Sequence, residues 1–255
     1  MSQAVSEREI IEVKTPDQLE IMRRAGRVVA EILLALHRAV RPGITTLDLE
    51  EVARQTMVSH GGKTAFKGYR GFPAASCISV NQEVVHGIPS NRMIKEGDLV
   101  SIDVGIKYRA YYVDTAITVG IGQLALEAQR LLDVTREALN RGIHQARAGA
   151  HLSDISNAIQ QFVESHGFSV VRSFVGHGIG LELHEEPEIP NFGPPHQGAV
   201  LQEGMVLAIE PMVNMGKYQT KVLKDNWTVV AEDGKPSAHF EHTIAITSSD
   251  PEILT

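Results

Sequence analysis

A single cysteine, Cys77, leaves the chain no internal disulfide framework, so a reducing, cytoplasmic compartment is expected. Basic residues are short as well: 24 Lys and Arg stand against 31 Asp and Glu, a net charge of −7. That balance argues against binding driven by phosphate contacts, which needs a clustered basic surface, so no specific DNA partner is expected. Long apolar runs are missing. The most apolar helical stretch, VVAEILLALHRAV, is interrupted by Glu31, His37 and Arg38, and no run approaches the roughly 18 apolar residues that span a membrane. The opening MSQAVSEREIIEV lacks a basic segment followed by an apolar core and does not read as a secretory signal. What is there is ordinary for a globular chain that buries a sizeable core: 255 residues, 43% hydrophobic and 22% charged.

Residues 1–14 are polar and read as loose or as an edge strand. Thr15-Pro16-Asp17-Gln18 is a helix start, with Pro at the first helical position and an acid in the first turn. Apolar residues then recur at helical spacing to Val40, and Arg41-Pro42-Gly43 stops them. A second helix begins near Thr46 and ends at Gly61-Gly62. Ala75–Val80, Leu99–Gly105 and Tyr111–Val119 are rich in β-branched residues and read as strands. Helical periodicity returns over Leu124–Ala146 and Leu152–Ser165, followed by short strands and Gly/Pro loops.

Residues 41–61 laid over 147–167 match without gaps at Arg41/Arg147, Gly43/Gly149, Asp48/Asp154, Gln55/Gln161, Ser59/Ser165, His60/His166 and Gly61/Gly167. Composition alone predicts about one or two matches in such a window. The inferred architecture is α+β, with two related helix-plus-sheet halves joined near Gly120–Leu124 and a cleft between them.

Within that frame, carboxylates interrupt apolar strands. A hairpin turning at Tyr108-Arg109 sets Asp103 directly opposite Asp114, about 5 Å apart at Cβ. Two buried carboxylates placed so repel: either one stays protonated or a cation holds them together. Exposed Asp on a solvated sheet face is the other reading of the pair. Glu210 in Ala-Ile-Glu-Pro and Glu241 in His-Phe-Glu-His-Thr break further apolar runs, and His177 lies between glycines in Gly176–Gly180. Four carboxylates balance two divalent cations, and oxygen-rich ligation with one imidazole suits Mn²⁺, Fe²⁺, Co²⁺ or Zn²⁺. Such a pair supports amide hydrolysis without a protein nucleophile. Nucleophile readings are weak: Cys77 has no His nearby in sequence and no Gly-x-Ser-x-Gly elbow exists.

These residues resemble the type I methionine aminopeptidase family of the duplicated pita-bread (creatinase/aminopeptidase) fold. The resemblance runs from about Lys14 to Thr255. It is carried by Gly68–Pro73, Cys77–Asn81, Val85–Pro89, Asp103 with Asp114, Gly176–Gly180, His184-Glu185-Glu186-Pro187, Glu210-Pro211-Met212 and Glu241-His242-Thr243. It implies one catalytic domain over 1–255, with pseudo-symmetric halves of about 14–120 and 121–255 around a central metal site. Asp103, Asp114, His177, Glu210 and Glu241 are then ligands of two metal ions, Asp114 and Glu241 bridging both. A bridging hydroxide attacks the carbonyl after the first methionine, and Glu210 shuttles the proton. His184 and His86 bind the scissile and following amides, and Tyr69, Phe72, Cys77 and Trp227 wall the methionine pocket. Leu183 stands where relatives commonly carry an aromatic and Phe72 where Tyr is frequent, so the pocket stays apolar with an altered shape. The implied substrates are nascent polypeptide N-termini with a small second residue, met by a monomer transiently at the ribosome, with no membrane. Proline-specific relatives carry an additional N-terminal domain for which the roughly 15 residues before the first helix leave no room. A non-catalytic binding protein of the same fold would be expected to lack a ligand, and all five are present.

Overall fold

Local capping sets the helices. The structure, a computed structural model, describes residues 11–255, and most of the polar 1–14 segment lies outside the described residues. Thr15 caps α1 (Pro16–Ala39): its hydroxyl accepts from Gln18 N, and the Gln18 side chain accepts from Thr15 N. The repeated segments fold alike. α2 (Thr46–Ser59) and α4 (Leu152–Ser165) are each 14 residues long, and each is opened by a capping box, through Asp48 and Asp154. Both also close alike. The hydroxyl of Ser59 and Nδ1 of His60 meet the Thr56 carbonyl, as Ser165 and His166 meet that of Phe162. Gly61 and Gly167 then take φ of 69° and 82°, a conformation that suits glycine. α3 (Leu126–Gln145) pairs with α4 as α1 pairs with α2.

Among the described residues a nine-stranded antiparallel sheet runs through both halves. Its path is Lys63–Thr64, Leu99–Tyr108, Tyr111–Gly120, Glu241–Ala245, Val206–Ile209, Gly176–Gly178 and Glu185–Ile189; Ser76–Val80 and Glu252–Ile253 pair off that path. The hairpin expectation needs correction. The turn is made by Arg109-Ala110, with Arg109 at φ 54°, and Tyr108 pairs with Tyr111. Asp103 therefore faces Ala116, and Asp114 faces Gly105, so the two aspartates are diagonal neighbours. Moving a turn by one residue shifts the register by two, which keeps every side chain on its face. The aspartates still share one side of the sheet.

The two sides have opposite chemistry. Ile102, Val104, Ile106 and Val113 pack under α1 with Met22, Val29, Ile32 and Leu36. Leu207, Ile209 and Ile244 pack under α3 and α4 with Leu131, Ala138, Ile155 and Ile159. Strand alternation sends the intervening residues to the other side, away from all four helices. That side holds the site.

Candidate metal centre and substrate cleft

Register alone assembles the centre. Cys77, Asp103, Ala116 and Glu241 form one row across four strands, each directly paired with the next. Thr243, Ala208 and His177 form a neighbouring row on the same side. Glu210 follows the strand Val206–Ile209 and continues its alternation from Ala208. Asp103 and Asp114 thus come from one half, His177, Glu210 and Glu241 from the other. The glycines flanking His177 have a steric cause: a Cβ on Gly176 would collide with the Ala208 carbonyl, and one on Gly178 with that of Glu186. Gly178→Ala is expected to destabilise the protein by about 1–3 kcal/mol through backbone overpacking, read as a lower Tm by thermal denaturation.

The side chains converge closely. His177 Nε2 lies 3.6 Å from Asp114 Oδ2 and 3.6 Å from Glu210 Oε1. One ligand-type atom each from Asp114, His177 and Glu241 fall within 4.8 Å of one another. Thr243 Oγ1 accepts from Asp114 N at 3.1 Å and lies 3.0 Å from Asp114 Oδ1, which steadies that carboxylate. Among the described residues no Lys or Arg pairs with Asp103, Asp114, Glu210 or Glu241, and Asp103 Oδ1 is buried without a hydrogen-bond partner. Burial pushes the Asp114 carboxyl up to about 6. It raises Asp103, Glu210 and Glu241 well above the usual carboxylate range, and repulsion from neighbouring carboxylates adds to it.

A cation fits this set. His177 Nδ1 lies 2.9 Å from the Gly178 carbonyl, which can only accept, so the proton sits on Nδ1 and Nε2 presents a lone pair. That lone pair points among carboxylate oxygens, an arrangement of donors-to-metal with the second-partner hydrogen bond typical of a ligating imidazole. Burial holds the His177 imidazolium down to about 4, keeping the ring neutral.

The carboxylates open on a cleft of about 360 Å³ that all the expected ligands, both amide-binding histidines and all four expected pocket walls line. Phe72 and Cys77 are buried and pack with Trp227, the Phe72 and Trp227 rings meeting edge-on at 5.1 Å. Burial keeps the Cys77 thiol protonated. Leu183, buried, completes the apolar side. His86, at φ 59°, sets its ring edge-on to Phe174 and Trp227. His184, an exposed residue lining the cleft, stacks on Tyr69 and lies 4.2 Å ring-to-ring from His177; partial desolvation of its ring and the neighbouring His177 disfavour its charged form, to about 4. The next residue, Glu185, is anchored by the buried Lys14 ammonium at 2.5 Å.

Several residues of the site escaped the sequence reading. His239 is buried with Nε2 3.6 Å from Glu210 Oε2, and the cleft also takes Phe66, Arg70, Phe174 and Glu188. The i, i+2 spacing of His239 and Glu241 was the available signal for His239. Nothing periodic marks the others.

Residues 20–248 match metallopeptidase family M24. The chain is 52% identical over 246 residues to the methionine aminopeptidase of Clostridium perfringens, covering 96% of this chain and 99% of that protein. It is 52% identical over 242 residues to methionine aminopeptidase 1 of Bacillus subtilis, covering 95% and 98%. The solved methionine aminopeptidase of Thermotoga maritima superposes with a TM-score of 0.95 at 47% identity, covering 96% and 99%. The prolidase of Pyrococcus furiosus, at 24% identity and a TM-score of 0.79, shares the fold, with 95% of this chain covering 65% of that one. With the carboxylate-imidazole cluster and these likenesses together, the chain belongs to metallopeptidase family M24, in its methionine aminopeptidase branch, and has the pita-bread fold.

Proposed function

We propose that this enzyme removes the N-terminal methionine from nascent proteins whose second residue is small, acting in the cytoplasm as a monomer that meets the ribosome transiently. One observation carries the reading: five ligand-type side chains, with no Lys or Arg partner among the described residues, face a cleft whose wall is otherwise apolar and thiol-bearing. Asp103, Asp114, His177, Glu210 and Glu241 would hold two divalent ions, Fe²⁺, Mn²⁺, Co²⁺ or Zn²⁺, whose charge offsets the four carboxylates. Bound there, the ions supply Lewis acidity that activates water and polarises the scissile carbonyl.

The chain's own residues supply the rest. Phe72, Cys77, Tyr69 and Trp227 take the thioether, for which sulfur and aromatic edges are good company. Glu210, whose carboxyl has a raised proton affinity, carries the proton from the attacking water to the leaving amine. His184 donates to the scissile amide and its developing oxyanion, and His86 orients the amide of the second residue. The catalytic unit is one domain with halves of about 14–120 and 121–255, each supplying part of the ligand set.

The test is hydrolysis, without oxygen, of Met-Ala-Ser, Met-Lys-Ser, Leu-Ala-Ser and Ala-Pro-Ser by protein loaded with Fe²⁺, Mn²⁺ or Co²⁺. Release of methionine from Met-Ala-Ser alone is the expected result. Cleavage of Ala-Pro-Ser would overturn the reading in favour of proline-directed hydrolysis, and no cleavage with any metal would overturn it in favour of a binding role.

A further inference from the structure

A methionine-pocket wall needs only the ring of Tyr69, yet its hydroxyl is aimed. Tyr69 and His184, 115 positions apart, meet with the phenol oxygen 2.8 Å from His184 Nδ1 and the rings stacked at 5.2 Å. Neither group has another protein hydrogen-bond partner among the described residues at the phenol oxygen or at His184 Nε2. The loop that delivers Tyr69 is strained at one residue: after a left-handed Gly68, which glycine adopts freely, Arg70 is held at φ 48°, ψ 22°, a region its Cβ disfavours. The Arg70 guanidinium lies 5.3 Å from the Tyr69 ring centroid.

Resting on the role given above to His184, we propose that Tyr69 is a positioning residue whose O–H donates to His184 Nδ1 and so fixes the imidazole tautomer with its proton on Nε2. The direction of the bond follows from chemistry. A phenol is a far stronger acid than a neutral imidazole N–H, and an imidazole's bare nitrogen is a stronger acceptor than a phenol oxygen. The hydrogen bond at one imidazole nitrogen decides which nitrogen carries the proton. Two touching histidines therefore hold opposite tautomers. His177 is protonated at Nδ1 by its carbonyl partner, leaving Nε2 bare toward the carboxylates. His184 is bare at Nδ1, which leaves an Nε2–H donor for the substrate amide. With the other tautomer, Nε2 would present a lone pair to the scissile oxygen and repel it.

The experiment is ¹⁵N-histidine NMR on zinc-loaded protein, with the His184 signals assigned by their loss in His184→Ala, alongside kinetics of Tyr69→Phe. In the wild type the His184 Nε2 should read as protonated and Nδ1 as bare. In Tyr69→Phe, which keeps the wall, the signals should move to a mixture of tautomers, while kcat for Met-Ala-Ser falls about ten- to hundred-fold and KM stays within about three-fold. A wild-type proton on Nδ1 overturns the proposal whatever the variant does. So does Tyr69→Phe with an unmoved tautomer, or with a raised KM and unchanged kcat, the signature of a wall. The underlying reading fails separately: His184→Ala with undiminished kcat would remove His184 from the reaction without touching the tautomer measurement.

Discussion

Glu210→Gln is expected to lower kcat on Met-Ala-Ser by about three orders of magnitude, the scale on which a positioned proton carrier acts. The substitution keeps the shape of the side chain and its place between His177 and His239, each 3.6 Å away in the native protein. What it removes is the capacity to take up and release a proton at an oxygen. Because native Glu210 is a buried carboxyl crowded by Asp114 and Asp103, a neutral amide also relieves repulsion. The Tm of the metal-free variant should therefore be at or above that of the metal-free wild type. Metal content per chain, read by elemental analysis against the wild type, is expected to fall. Retention of kcat within ten-fold while metal content is unchanged would show that the proton travels by another group.

The second large effect is thermal. Metal binding to the folded chain alone should raise Tm by on the order of 10 °C once free metal reaches about a thousand times its Kd, equivalent to about 4 kcal/mol. The size of that rise should depend on pH in a stated direction. Asp114, raised to about 6 from 3.8, and the more strongly raised Asp103, Glu210 and Glu241 bind protons better in the folded chain than in the unfolded one. Their contribution is fully present below the unfolded carboxylate range and is lost as pH rises through the folded values. Histidines held down by desolvation, His86, His177, His184 and His239, act oppositely, an effect that fades as pH rises past their ordinary 6.5. Above about pH 6.5 the histidines become neutral in both states, so the direction left to these groups is that of the raised carboxylates, a fall in metal-free Tm with rising pH. Metal competes with those protons, so its stabilisation should grow over the same range. Differential scanning calorimetry with and without metal at pH 6.5 and 8 checks both slopes; a metal-induced shift that shrinks toward pH 8 would refute the carboxylate assignment.

How far the sequence could be read depended on whether the signal was local. The ends of α1 and α2 were legible because their signals are local: Pro16 and Asp17 in the first turn of α1, Arg41-Pro42-Gly43 after it and Gly61-Gly62 after α2. Asp103, Asp114, Glu210 and Glu241 stood out because a carboxylate is costly on an apolar strand unless something offsets it. The hairpin register was not legible, since Arg109-Ala110 lacks the Asn-Gly or Asp-Gly signature that pins a two-residue turn. Parity survived that error, which is why the right face was still assigned. The carboxylate face of the sheet was recoverable, but its supports were not. Thr243 beneath Asp114 looks like any strand threonine, and Lys14 reaches Glu185 across 171 positions. Tyr69 meets His184 through a loop whose left-handed geometry follows no periodic pattern. Contacts of that kind are fixed by the assembled fold rather than by any stretch of chain.

The division of the ligand set between two halves of one sheet bears on the order of events during synthesis. Asp103 and Asp114 leave the ribosome well before His177, Glu210 and Glu241, and the strand pair that joins the sets, Tyr111–Gly120 with Glu241–Ala245, spans more than a hundred residues. Closing so long a loop is slow, and until it closes Tyr111–Gly120 lacks its neighbour on that edge. An uncovered strand edge is an aggregation hazard until the last strands arrive, and the charge of Asp114 on it opposes burial against anything but its proper partners. Were metal held by the five side chains as proposed, the full set would exist only after the final strand docks, so ion uptake would read out completed folding and bound metal would clasp the seam against re-opening.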